Sequence, residues 1–160
     1  MTSYAGITQI LTVRRLLVAA AVFLAAVVAF GFLAPRPSYS GGTLTVAEAH
    51  QQAESGAVTL VDIRRPDEWK RTGIGAGAVT IDMRREDFFV ALAEAAGPDR
   101  SAPIALICAR GVRSARLSQA LTNAGYTNII DVPEGMLGSS AGPGWLKSNL
   151  PTRPFEEAQS

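Results

Sequence analysis

The sequence predicts an α/β domain with a mainly parallel central sheet and helices on both faces, preceded by an N-terminal hydrophobic helix. Three observations carry this expectation. Apolar strand-like runs alternate with helical periodicity from residue 43 onward, the order that builds parallel sheets. Ile104-Ala105-Leu106-Ile107 is continuously apolar, as in strands buried on both faces. A glycine- and arginine-containing loop joins that run to an amphipathic helix, and ligands of such sheets bind at the carboxyl ends of strands.

The elements follow in order. Thr45 caps a helix over Val46 to Glu54, and Glu48 at its third position completes a capping box. Val58 to Ile63 reads as a buried strand. Pro66 suits the first turn of a short helix through Trp69 and Arg71. The glycine-rich stretch 72–77 leads to a short strand at Ala78-Val79-Thr80-Ile81. A helix then starts at Asp82 or Arg84, carries Phe88, Phe89, Leu92 and Ala96 at helical spacing, and stops at Gly97-Pro98. After Ile104 to Ile107 and the loop, a helix with Ala115, Leu117, Leu121 and Ala124 as its inner stripe closes at Gly125. Ile129 to Val132 forms the last strand, and Gly144-Trp145-Leu146-Lys147 suggests a final short helix.

Leu16 to Ala34 is an uncharged run of nineteen residues, with Arg14 and Arg15 before it and Arg36 after it. A helix of that length nearly crosses the hydrocarbon core, and the preceding arginines predict an N-in orientation. Residues 1–37 are therefore expected to be a signal peptide or membrane anchor. Ser38-Tyr39-Ser40 offers a small-residue exit site for cleavage, whereas the length of the run favours the uncleaved anchor. Either reading exports the domain to the periplasmic side of a bacterial inner membrane, with membrane contact through 16–34 if uncleaved. The remaining divisions are a linker at 38–42, a domain at 43–152 and a C-terminal tail at 153–160. Without Arg14, Arg15 and Arg36, the chain's 15 basic residues fall to 12 against 14 acidic ones, a balance that gives no footprint for nucleic acid.

Cys108 is the only cysteine, so no internal disulfide forms. It opens the run Cys108-Ala109-Arg110-Gly111-Val112-Arg113-Ser114 between strand and helix. Unpaired N–H groups of the first helical turn, the helix dipole and two arginines all favour an anion here, and the thiolate is the nucleophilic form. Gly111 lets the loop curl without a Cβ clash. Arg110 is expected at the entrance, where it attracts an anionic substrate or stays solvated. Arg113 either lines the pocket or braces the loop by bonding backbone carbonyls. Asp62, at a strand end, fixes a loop through backbone N–H groups or acts as acid or base. Arg64 reaches the site from the neighbouring strand end or pairs with Glu68. His50 is expected to be solvated, and Trp69 and Trp145 to pack. Without a Cys/His cluster, no metal is expected.

Four motifs in fixed order resemble the rhodanese family of sulfurtransferases. The loop from Cys108 to Ser114 resembles its Cys-x-x-Gly-x-Arg-Ser pattern, and Asp62-Ile63-Arg64-Arg65-Pro66-Asp67-Glu68-Trp69 its Asp-Val-Arg-x-Pro-x-Glu-Tyr/Trp element. Gly77-Ala78-Val79 resembles the step that follows, and Gly125-Tyr126 with Asp131-Val132-Pro133-Glu134-Gly135-Met136 resembles the stretch after the active-site helix. The chain departs from the family at Gly73-Ile74-Gly75-Ala76-Gly77-Ala78, which lacks the usual histidine and proline, so no catalytic role is carried onto that loop.

The resemblance implies a rhodanese-like fold and a ping-pong reaction. Cys108 takes sulfane sulfur from a small anionic donor such as thiosulfate and passes it to a thiol or cyanide-like acceptor, protein thiols included. The backbone of Arg110, Gly111, Val112, Arg113 and Ser114 would cradle the persulfide, and no cofactor is implied beyond that covalent intermediate. A non-turnover sulfur carrier or protein-interaction module of the same fold is the alternative. Phosphatases and arsenate reductases on this fold use Cys-x5-Arg, and four residues between Cys108 and Arg113 make the loop one short for phosphate.

Overall fold

The computed structural model describes residues 17–23, 25 and 40–156. Residues 17–23 are helical. Among the described residues no helix is long and apolar enough to cross a membrane. Most of the apolar run 16–34, and Ser38-Tyr39 of the exit site, lie outside the described residues, so the expected anchor or signal falls there too.

The folded unit runs β1 (Gly42–Thr43), α1 (Val46–Glu54), β2 (Thr59–Asp62), α2 (Pro66–Thr72), β3 (Ile74–Gly75), β4 (Val79–Thr80), α3 (Phe88–Ala96), β5 (Ile104–Ile107), α4 (Val112–Asn123), β6 (Ile129–Asp131) and β7 (Thr152–Arg153). Five strands form one sheet in the order β1-β6-β5-β2-β4, and every pair in it is parallel. β3 and β7 form a separate antiparallel pair. Thr45 accepts from the Glu48 N–H while Glu48 accepts from the Thr45 N–H, the reciprocal cap expected for α1.

Successive strand side chains point to opposite faces, so each strand feeds two cores. Leu60, Ala105, Ile107, Ile130 and Val132 pack with Val46 and Ala49 of α1 and Trp69 of α2. Val61, Ile63, Ile104, Leu106, Cys108 and Ile129 pack with Phe88 and Leu92 of α3 and Leu121 of α4. Helices therefore cover both faces, as expected for strands this apolar.

Several local expectations are corrected. Gly42–Thr43, expected to straddle a linker and the domain start, add a parallel edge strand to β6. Helix α3 begins at Phe88, not at Asp82 or Arg84, because the Asp82 carboxylate accepts from the Arg84 N–H and closes a turn. In α4 the buried face is Ser114, Ser118 and Leu121, whereas Ala124 is exposed and Ala115 and Leu117 are half-buried. No helix forms over residues 144–147: residues 145–149 form turns, and Trp145 is fully buried, its indole donating to the Pro151 carbonyl. The expected tail is partly structured, since Arg153 pairs in β7 and Phe155 packs on Trp69 at 5.1 Å. His50 is not simply solvated: its ring meets Trp145 edge-on at 5.4 Å.

Candidate functional site

Strand β5 lies at the middle of the five-stranded sheet, flanked by β6 and β2, so the residue after it emerges at the centre of the sheet's carboxyl edge. That residue is Cys108, a free thiol with no exposed surface. The loop that follows is pinned from one side. Cys108 O accepts from the Met136 N–H and Ala109 O from the Leu137 N–H, both at 2.9 Å. Gly111 turns the chain into α4 with φ +81°, and a Cβ there would collide with the Pro133 carbonyl. Gly135, at φ +68°, also packs against Ala109: its Cβ would stand 2.7 Å from the Ala109 carbonyl. Two glycines thus allow two loops to interlock.

From Ala109 to Ser114, no backbone N–H donates to a carbonyl or side-chain oxygen among the described residues. The last three belong to the first turn of α4, where helical geometry leaves N–H groups without acceptors. A concave run of such donors favours an anion. Ser114 is buried, and its Oγ donates to the Gly111 carbonyl at 3.0 Å, which closes the turn. Arg110 and Val112 are exposed at the rim, and Arg110 has no ion pair among the described residues.

Among the described residues Arg113 bonds none of the backbone carbonyls that bracing would require. Its Nη1 donates to Glu68 Oε2 at 2.8 Å and its Nη2 to Glu68 Oε1 at 2.6 Å, a two-pronged pair linking α4 to α2. Burial pushes the Glu68 carboxyl up. The Arg113 hydrogen bond, the Arg65 N–H and the charges of both arginines outweigh that, so Glu68 lies below its ordinary value. The same hydrogen bond raises the Arg113 guanidinium, with the charges of Glu68, Cys108 and Asp62 adding to it.

Asp62 and Arg64 sit on the neighbouring strand end, where Asp62 stands opposite Ile107. Both are buried and paired with each other: the Arg64 Nε and Nη2 donate to the Asp62 carboxylate, at 2.7 Å for the shortest contact. Asp62 also accepts from the Arg64 N–H, the loop-fixing bond expected of it. The expected Arg64–Glu68 salt bridge does not form, because Arg64 reaches Thr72 Oγ1 and the Gly73 carbonyl instead. A cavity of ≈ 290 Å³ lined by Arg64, Glu68, Arg71, Thr72 and Leu137 opens beside these pairs.

The structure therefore gathers Cys108, Arg110, Gly111, Val112, Arg113 and Ser114 in one turn, with Asp62 and Arg64 one strand away. Sequence reasoning missed two residues that shape it. Glu68 was paired with the wrong arginine. Glu134 is buried and accepts from the Val46 N–H and the Gly144 N–H, both at 3.1 Å, so it ties the loop beneath Cys108 to α1. A carboxylate inside Val132-Pro133-Glu134-Gly135-Met136, an otherwise apolar and tightly turning run, was the available signal.

The rhodanese-like domain family model matches residues 45–141. An uncharacterized protein of Rickettsia prowazekii is 28% identical over 101 residues, covering 58% of this chain and 80% of that protein. Among solved structures, the homodimeric polysulfide-sulfur transferase of Wolinella succinogenes is 25% identical with a TM-score of 0.56, covering 88% of this chain and 93% of that one. A Rhodopseudomonas palustris protein of unknown function, described as a possible tyrosine phosphatase, is 26% identical with a TM-score of 0.53, covering 71% of this chain and 86% of that one.

Proposed function

The chain belongs to the rhodanese-like domain family, and on that premise we propose that it is a sulfurtransferase carrying sulfane sulfur on Cys108. The observation that carries this reading is the run of N–H groups from Ala109 to Ser114, without acceptors among the described residues, curled at the only cysteine. In the first half-reaction the Cys108 thiolate attacks the outer sulfur of thiosulfate. The S–S bond of the donor breaks, sulfite leaves with its electron pair, and a cysteine persulfide anion remains. Loop N–H groups then hold the charge on the terminal sulfur. In the second half-reaction an acceptor such as cyanide or a thiolate attacks that sulfur, and Cys108 leaves as thiolate. No cofactor takes part.

Each loop residue has a part in this reading. Gly111 permits the curl, Val112 and Ser114 supply backbone donors from the first turn, and Ser114 also closes the turn through its hydroxyl. Arg110 draws the anionic donor to the rim. Arg113 acts from its pair with Glu68, and Asp62 with Arg64 stiffens the adjoining strand end. The engagement of Arg113 by Glu68, with the four-residue spacing from Cys108, supports sulfur transfer over phosphate chemistry, which needs a free arginine fork for the oxyanion. The domain is further proposed to work on the periplasmic side of a bacterial inner membrane, delivered by residues 16–34.

The test is thiosulfate:cyanide turnover by the full chain and by Cys108→Ser. Thiocyanate from the wild type and none from the variant is expected. No thiocyanate from the wild type overturns the turnover reading, and a persulfide still formed on Cys108 in that case identifies a sulfur carrier.

A further inference from the structure

The Arg113–Glu68 pair reaches further than a brace between helices. The Glu68 side chain is 11% exposed and that of Arg113 is 30% exposed, so water screens the pair only in part. Glu68 is also the third residue of α2, where its Oε2 accepts from the Arg65 N–H at 3.1 Å. Arg113 is the second residue of α4, directly after the Cys108 loop, and its guanidinium feels the charges of Glu68 on α2, Asp62 on β2 and Cys108, while Arg65 Nε stands 3.5 Å from the same Glu68 carboxylate. Asp82, after β4, is close enough to respond to Arg113, and Arg84 responds to Glu68. Arg113 and Cys108 therefore share an electrostatic neighbourhood, and Glu68 holds both terminal nitrogens of the arginine in it.

We infer that Glu68 is a positioning residue for Cys108 that acts through Arg113, setting the electrostatic potential at the sulfur by cancelling most of the guanidinium charge. The loop N–H groups and Arg110 then supply the positive potential that a donor anion meets, and Arg113 contributes a near-neutral pair. The inference rests on Cys108 being the reacting group, and its test needs no turnover. A plain brace and a charge balance differ in sign. Loss of a brace loosens the loop whichever partner is removed. Loss of balance makes the site more positive when Glu68 is neutralised and more negative when Arg113 is.

The experiment compares alkylation of Cys108 by iodoacetate, an anion, and iodoacetamide, its neutral analogue, in the full chain in neutral detergent. Cys108 is the only cysteine, so total alkylation reports it alone. The rate ratio cancels both thiolate fraction and access, and reads the local potential. Glu68→Gln should raise the iodoacetate/iodoacetamide ratio about threefold, and Arg113→Gln should lower it about threefold. The double variant should return close to the wild-type ratio. Arg113→Lys, which keeps the charge and loses the fork, should stay within about 1.5-fold of wild type. Gln at position 68 retains an oxygen for the Arg65 N–H, so the cap survives. If Arg113→Gln does not fold, the comparison of Glu68→Gln with Arg113→Lys decides. Single variants that move the ratio in the same direction, or not at all, overturn the inference. So does a Cys108 that neither reagent alkylates, because the inference rests on a Cys108 that reacts with small molecules despite its burial.

Discussion

The α-carbon of Gly111 lies so close to the carbonyl oxygen of Pro133 that no side-chain carbon fits between them. That contact locks the cysteine loop onto the loop after β6, and φ +81° at Gly111 adds a second reason for glycine. Gly111→Ala should therefore lose more stability than Gly56→Ala, which has φ +72° but open space around its missing Cβ. The shared left-handed conformation costs about 1–2 kcal/mol in each, and only Gly111→Ala adds a clash with backbone. Chemical denaturation of both variants checks this, and equal losses would remove the interlock from the account.

Asp62 and Arg64 form a buried pair at 2.7 Å, with 0% and 1% of their side chains exposed. Removing one partner leaves a buried charge, which costs about 3–5 kcal/mol. Arg64→Met should destabilise by that order. The double variant Asp62→Asn with Arg64→Met should recover much of the loss, since no lone charge remains. Urea unfolding of the two variants and the wild type measures the difference.

Acid should weaken the link between α2 and α4. Glu68 lies below its ordinary value of 4.5, so the folded state favours its carboxylate. The stability this gives is fully present above the ordinary value and is lost as pH falls through the lower, folded one. Thermal unfolding followed from neutral to acidic pH should show a shallower decline for the Glu68→Gln, Arg113→Gln double variant than for wild type. Parallel declines would mean that the pair does not couple to folding.

Arg110 is exposed and without an ion pair among the described residues. Arg110→Glu should raise the KM for thiosulfate about tenfold, with stability within about 0.5 kcal/mol of wild type. Steady-state kinetics at low and high salt separate the two effects, because screening should shrink the difference. An unchanged KM would remove Arg110 from the donor's path.

The legible parts of the fold were those that carry strong local chemistry. Ile104 to Ile107 announced a buried parallel strand, and the Thr45–Glu48 box and Pro66 announced two helix starts. The two-residue strands at Gly42, Ile74 and Thr152 were not legible, because two residues have no periodicity and their pairing is decided by tertiary contact. The inner face of α4 was misread because buried serines look polar in sequence. Ser114 satisfies its hydroxyl on the Gly111 carbonyl, so burial of that group costs little. At the site, the backbone cradle could be anticipated from a strand, a glycine and a helix start. The Arg113–Glu68 pair could not: it joins residues 45 positions apart, and only the approach of α2 to α4 chooses between Arg64 and Arg113 as partner.

The most direct test of the account is the mass of the protein after exposure to thiosulfate. A gain of about 32 Da, one sulfur atom, localised to Cys108 and removed by cyanide is expected. A chain that stays at its original mass, with Cys108 reduced and the fold intact, would contradict it.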